Sequence, residues 1–252
     1  MKIDNNYKFY STPFPHLVFE NFLDNDQTQK IVQEISEISN LHSVKKVMGG
    51  RFQYQTYHFN KKSLSLTLYN FFNNYDYFNK LNNLLLSQDD ENKEFIYDNK
   101  FEKITKKRKI IHNILRKFFP SLLKNKFFLH LDFSVAQEEY SREPHHDSNT
   151  RIINFLLYLN TLENNNGGAL EIYNYKNNDN LIFKRAPNKE DLELNKIISP
   201  KAGKLIVFLS SPKSIHGVEI FKPQKSEKRY FIYGGYTSFF DVNWKNINIK
   251  KR

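Results

Sequence analysis

Between Glu143 and Arg151 the chain reads EPHHDSNTR, which sets two adjacent imidazoles, a carboxylate and a proline just ahead of the apolar run INFLLYLN. On an extended backbone, residues two apart point the same way, so His145 and Asp147 can aim at one point while His146 faces elsewhere. Alone, His-x-Asp is a weak pattern, because a His–Asp pair is more often a surface hydrogen bond than a metal site. A further histidine, His216, opens a β-rich run in SPKAGKLIVFLSSPKSIHGVEIF, where an imidazole could equally cap the turn. Two imidazoles and one carboxylate brought together on a β-scaffold leave three coordination positions open, the facial arrangement that suits non-haem Fe(II) and dioxygen chemistry. Arg229, in EKRYFIYGGY, begins the following run. A guanidinium at the inner end of a barrel offers a carboxylate a bidentate partner, which a lysine does less well, and strand parity turns Lys228 to the opposite face. An isolated arginine in that position is otherwise a strand edge in solvent.

These side chains need a frame. PFPHLVFENFL predicts a short strand entering a helix, with Asp24 or Asp26 as its cap and Ile31, Ile35 and Ile38 on one face. Gly49 and Gly50 introduce RFQYQTYHF, whose aromatics Phe52, Tyr54, Tyr57 and Phe59 suggest a strand with a register irregularity. Apolar residues at helical spacing from Ser63 to Leu86 predict one or two helices. SQDDENKEF reads as a polar turn, and Ile104 to Phe119 as an amphipathic helix ended by Pro120. After Lys126 the chain changes character. FFLHLDFSVA, RIINFLLYLN, ALEIYNY, NLIFKR, GKLIVFL, IHGVEIF and RYFIYGGYT are short β-rich runs between Gly, Pro, Asn and Lys turns, the pattern of an antiparallel sandwich or jelly roll. The expected fold is mainly β with flanking α-helices. One domain over residues 1–252 is expected, its helical part (about 1–125) buttressing a β-core (about 126–240).

Composition narrows the chemistry. The chain has 252 residues and no cysteine, so thiolate sites and disulfides are excluded and any metal must be held by imidazole and carboxylate. That, with no leader-like apolar segment and no run of about 18 apolar residues, points to a cytoplasmic protein without a membrane span. The net charge of +11 attracts polyanions. The lysines are scattered among asparagines, however, and no arginine–aromatic repeat accompanies them, so nucleic-acid binding is not favoured. Oligomeric state is not legible.

The order His-x-Asp, His, Arg over consecutive β-runs resembles the 2-oxoglutarate and Fe(II)-dependent dioxygenases, and within them the prolyl 4-hydroxylase-like branch. HHDSNTRIINFLLYLN is similar to that branch's H-x-D followed by an arginine and a strand ending YLN. NNNGGALEIYN is similar to its G-G-x-L turn and strand, PKAGKLIVFLSSPKSIHGV to its P-x-x-G-x-L segment closing on a histidine, and RYFIYGGY to the strand that begins with its cosubstrate arginine. PFPHLVFENFLD resembles the opening of many such proteins. The resemblance implies a double-stranded β-helix, or jelly roll, with Fe(II) held by His145, Asp147 and His216. It implies 2-oxoglutarate chelating that iron with Arg229 on its distal carboxylate, dioxygen as the second cosubstrate, and ascorbate as an accessory reductant. The branch's motifs are not matched throughout: Leu157 stands where some relatives carry a tyrosine, Arg229-Tyr230-Phe231 replaces an R-x-S pairing, and Gln137 lies where relatives often have a tyrosine. The hydroxyl that assists Arg229 is therefore open among Tyr158, Tyr173 and Thr237, with Tyr158 the choice.

The implied activity is hydroxylation of a peptidyl proline or a small molecule, or a desaturation or epimerisation variant of it, with release of succinate and CO2. Access to the iron would be governed by Gly49 to Phe59, the helix near Phe71 to Phe78, and a polar loop from Lys176 to Asn195. Two other classes compete. A cupin-like metalloenzyme without redox chemistry would use the ligands without Arg229, and a non-catalytic β-sandwich binding module would bind no 2-oxo acid.

Overall fold

In the computed structural model, Asp24 starts the first helix by a reciprocal cap: its carboxylate accepts from the Gln27 amide at 2.8 Å, and the Gln27 side chain accepts from the Asp24 amide at 3.2 Å. The structure describes residues 6–41, 46–47, 50–86, 100–101, 114–123, 126–177, 185–223 and 226–241. Helix α1 spans Asn25–Leu41, α2 Leu64–Phe72 and α3 Tyr75–Leu86. The α1 residues Ile31, Ile35 and Ile38 are all buried, as their spacing requires. Ser63 caps α2 by accepting from the Leu66 amide. The expected polar turn SQDDENKEF and most of NLIFKR lie outside the described residues. So does most of the Ile104–Phe119 helix, of which residues 114–118 are helical.

The strands are β1 (Tyr7–Tyr10), β2 (His16–Phe19), β3 (Lys46–Val47), β4 (Arg51–Tyr54), β5 (Lys100–Phe101), β6 (Lys126–Ala136), β7 (Arg142–His145), β8 (Arg151–Tyr158), β9 (Leu170–Tyr175), β10 (Leu192–Ile198), β11 (Leu205–Leu209), β12 (His216–Val218) and β13 (Arg229–Ser238). They form two sheets. The larger runs β1-β2-β11-β8-β13-β6-β4-β3, with β5 against β6, and the smaller runs β10-β9-β12-β7.

The pairings reveal how the chain winds. The β9–β10 hairpin is antiparallel, and working outward along the sequence β8 pairs β11, β7 pairs β12 and β6 pairs β13. These pairs fall alternately in the smaller and larger sheet. A long antiparallel ribbon folded at β9–β10 and wrapped between two sheets is a double-stranded β-helix, the expected fold.

Strand period sorts residues between two cores. On β6 the odd positions Phe127, Leu129, Leu131 and Phe133 pack with Ile31, Ile35, Phe72, Phe78 and Leu81 of the helices. Even positions of the larger sheet face the other way: Leu156, Tyr158, Ile206 and Phe208 pack with Leu170, Ile172 and Ile198 of the smaller sheet. The helices thus cover the outer face of the larger sheet. With both faces buried, β8 has no need of apolar–polar alternation, which explains the unbroken INFLLY run.

Two expectations are corrected. RFQYQTYHF is not an irregular strand throughout: the strand ends at Tyr54 and Thr56–His58 form a single 3-10 turn. The polar loop from Lys176 to Asn195 is shorter than expected, since Leu192–Ile198 is a strand paired with β9. Its sequence LELNKII was masked by exposed Leu194 and Ile197, which break the apolar pattern. Among the described residues no helix is long and apolar enough to cross a membrane.

Phe72 joins helix to sheet: its ring stacks on Phe155 of β8 at 4.9 Å, and its carbonyl accepts from the Tyr236 hydroxyl at 2.6 Å. Phe72→Ala should cost about 3–5 kcal/mol of unfolding free energy, read from urea denaturation.

Candidate metal centre

The register of the smaller sheet places His216 directly opposite His145. Facing residues on antiparallel strands bring their side chains together on one side, and the two imidazole centroids are 4.7 Å apart. The Nδ1–H of His145 donates to the Glu143 carbonyl at 2.8 Å, and that of His216 to the Ser214 carbonyl at 3.0 Å. Each ring is thereby fixed in the tautomer that leaves Nε2 with its lone pair. Burial, reinforced by His216, lowers the pKa of His145 to about 4, so this ring is neutral at pH 7. Phe208 meets the His216 ring edge-on at 5.0 Å and closes its inner side.

Asp147 follows the end of β7 and is buried. Its Oδ1 accepts from the Tyr233 hydroxyl at 2.5 Å. Its Oδ2 lies 3.6 Å from His216 Nε2 and has no hydrogen-bond partner. Burial works to raise the carboxyl pKa, but His216, Arg151 and the Tyr233 hydrogen bond outweigh it and the net shift is downward, which keeps the group ionised. His145, Asp147 and His216 each offer a ligand atom within 4.8 Å of the others. His146 is not part of this group. Its ring donates to the Asp147 carbonyl at 2.8 Å and its amide to Arg185, so strand parity is obeyed.

Arg229 begins β13 and is 1% exposed. Its Nε–H donates to the Gly168 carbonyl at 3.0 Å. The guanidinium carbon lies 4.2 Å from the Phe231 ring centre, 5.3 Å from Tyr158 and 5.4 Å from Tyr140. Both terminal nitrogens are buried without a partner. The paired glycines before β9 make this possible. Gly168 has φ +76, and a Cβ there would meet the Arg229 side chain at 3.1 Å.

Of the three hydroxyls considered for Arg229, Tyr158 lies beside the guanidinium, with its own hydroxyl donating to the Ile198 carbonyl at 3.3 Å. Tyr173 directs its hydroxyl to Glu171. Thr237 stands at the far end of β13, opposite Arg151. Two tyrosines went unforeseen. Tyr233 could have been found by parity, since on β13 it shares the inner face with Arg229 and Phe231. Tyr140 sits in the turn between β6 and β7, where no periodicity points to a face.

His145, Asp147, His216, Arg229, Tyr140 and Tyr233 all line one cavity of about 630 Å³ between the sheets. Across it from the ligands, Asp132 of β6 accepts from the side chains of Gln53, at 3.1 Å, and Gln55.

A family model described as the 2OG-Fe(II) oxygenase superfamily matches residues 123–236. The chain is similar to a solved Pseudomonas putida prolyl-4-hydroxylase, at 14% identity over 89% of this chain and 93% of that one, with a TM-score of 0.48. It is similar to the viral collagen prolyl hydroxylase of Paramecium Bursaria Chlorella virus-1, at 11% identity over 89% and 96%, with a TM-score of 0.44. The epimerase SnoN from nogalamycin biosynthesis is similar at 11% identity over 88% and 76%, with a TM-score of 0.46. No curated protein sequence matches the chain. The segment that matches the 2OG-Fe(II) oxygenase superfamily contains the folded ribbon from β6 to Tyr236, both histidines, the carboxylate and the buried guanidinium.

Proposed function

We propose that this chain is a non-haem, 2-oxoglutarate-dependent hydroxylase in which His145, Asp147 and His216 hold Fe(II) and Arg229 holds the distal carboxylate of 2-oxoglutarate. One observation carries the reading. Two sets of buried polar atoms lie in the same cavity without partners, Asp147 Oδ2 among the imidazoles and the two terminal nitrogens of Arg229 deeper in. Buried polar groups are nearly always satisfied, so orphans of both signs point to a ligand carrying the complement. A divalent cation suits the first set, and a carboxylate suits the second. The donor set of two imidazoles and one carboxylate is the one that suits Fe(II) with open positions.

When bound, Fe(II) and 2-oxoglutarate supply the oxidising chemistry, coupling conversion of 2-oxoglutarate to succinate and CO2 to insertion of oxygen into a substrate C–H bond. The protein's own part is geometric and electrostatic. The Glu143 and Ser214 carbonyls orient the two imidazoles, and the Tyr233 hydroxyl occupies Oδ1 of Asp147, so that Oδ2 is the oxygen that would hold the metal. Tyr158 and Tyr140 flank the guanidinium, Tyr158 being the candidate to assist it with the distal carboxylate. Leu156, Leu170 and Phe208 line the space between the two sites and keep it apolar. Because Asp147 fills its ligand position with a carboxylate, hydroxylation is favoured over transfer of a halide. The substrate is a peptide or small molecule that enters this cavity. Peptidyl proline is suggested by the branch whose motifs the sequence resembles, and ascorbate is the accessory reductant that branch implies. A cupin-like enzyme without redox chemistry leaves the unpaired guanidinium without a role.

Anaerobic addition of Fe(II) and then 2-oxoglutarate should produce a metal-to-ligand charge-transfer band that neither produces alone. Its absence would remove the assignment. His145→Ala or His216→Ala should abolish both the band and iron-dependent succinate formation.

Arg229→Met should weaken 2-oxoglutarate at least about 100-fold, since it removes two charge-assisted hydrogen bonds worth roughly 1.5–3 kcal/mol each. Fe(II) binding should persist. The ligand-free variant should melt no lower than the wild type, because an unpaired buried charge is lost with the side chain. Unchanged 2-oxoglutarate affinity would move the anchor elsewhere. Tyr233→Phe should lower Fe(II) affinity about 10–100-fold in a chelator competition, with little change in melting temperature; equal affinity would show that Oδ1 needs no partner.

A further inference from the structure

The chain carries thirty lysines and only eight arginines. Five of the eight, Arg51, Arg142, Arg151, Arg185 and Arg229, line the single cavity that contains the metal ligands, and no lysine among the described residues does. A cavity drawing at random on this chain's cations would be lined mostly by lysine. Arginine differs in chemistry, not in charge: its planar fork binds an oxyanion through two parallel N–H bonds, and it stacks on aromatic rings.

Arg229 is accounted for by 2-oxoglutarate. The other four stand on four separate segments around the opening. Arg51 is on β4, Arg142 on β7, Arg151 begins β8, and Arg185 precedes β10. Two of them converge: the guanidiniums of Arg51 and Arg151 lie 5.3 and 5.8 Å from the Tyr233 ring centre, and the Tyr233 hydroxyl is hydrogen-bonded to Asp147. Among the described residues none of the four has a salt-bridge partner. The cavity holds two carboxylates. Asp147 belongs to the metal, and Asp132 is engaged by Gln53 and Gln55 and lies 3.6 Å from His130. Four guanidiniums against these two engaged carboxylates, on the walls of a cleft also lined by Leu156, Leu170 and Phe208, leave a net positive field in the cavity.

We propose that the substrate carries an oxyanion, a phosphate or a carboxylate, which Arg51, Arg142, Arg151 and Arg185 seize at the cavity mouth so that the rest of the molecule reaches toward His145, Asp147 and His216. This rests on the oxygenase reading and adds the chemical class it acts on. An uncharged peptidyl proline does not use this ring of charge.

Calorimetric titration tests it, on protein loaded anaerobically with Fe(II) and 2-oxoglutarate at constant ionic strength. Three matched probes are used: phenyl phosphate, benzoate and neutral benzamide. At least one anion should bind saturably, at least about tenfold tighter than benzamide. The Arg51→Gln/Arg142→Gln double variant should lose at least about tenfold of that affinity while keeping its charge-transfer band. Tighter phenyl phosphate assigns a phosphoryl group, and tighter benzoate a carboxylate. Benzamide binding as well as both anions, anion binding that does not saturate, or anion binding unaffected by the double substitution would each overturn the proposal. The two readings fail separately: a missing band in the wild type defeats the oxygenase assignment, whereas a normal band without anion selectivity defeats only the substrate class.

Discussion

The pairing of β12 with β7, which sets His216 opposite His145 beside a register shift at Val218, is the constraint on which the centre depends. His145 and His216 are 71 positions apart in the numbering, yet the ribbon folded at β9–β10 sets them opposite each other in one antiparallel pair. A slip of one residue along this pair would turn one imidazole to the opposite face of the sheet and disperse the cluster. What holds the register lies further out. The larger sheet is anchored on both faces, by the helices outside and the inter-sheet core within, and the long β6–β13 and β8–β13 ladders fix where each turn of the ribbon begins. The core around Phe72, Phe78 and Phe155 therefore contributes to the site at a distance.

The cavity also holds charge that the fold alone does not satisfy. Burying a guanidinium costs several kcal/mol when no anion accompanies it. Three aromatic rings and the Gly168 carbonyl offset part of this for Arg229; such ring contacts contribute on the order of 0.5–2 kcal/mol each. A carboxylate at the two terminal nitrogens would offset the remainder. The protein thus keeps an arginine oriented in advance, and binding need not reorganise it. Asp147 is arranged on the same principle with opposite sign, one oxygen satisfied by Tyr233 and the other left for a cation.

Much of this was legible in the residues themselves. The β-rich runs after Lys126, the Asp24 cap, the stripe of Ile31, Ile35 and Ile38, and the separation of His145 from His146 follow from periods of 2 and 3.6, which are local properties. The strand β10 was hidden because an exposed edge strand can carry leucine and isoleucine on its open face, and the end of β4 at Tyr54 was hidden because its aromatics continue into a turn. Tyr233 obeyed the same parity as Arg229, and recognising it required knowing that Asp147 lies across from it.

Residue type and order determined which atoms could bind a metal and a carboxylate, because donor chemistry and side-chain direction along a strand are local. Only the tertiary structure decided which of them meet. Tyr140 beside Arg229, Tyr233 on Asp147, and four arginines from separate segments around one opening all arise from strand pairings between distant parts of the chain. No local period encodes such contacts, since they depend on how the ribbon folds back across two sheets and on the register in which its arms come to rest.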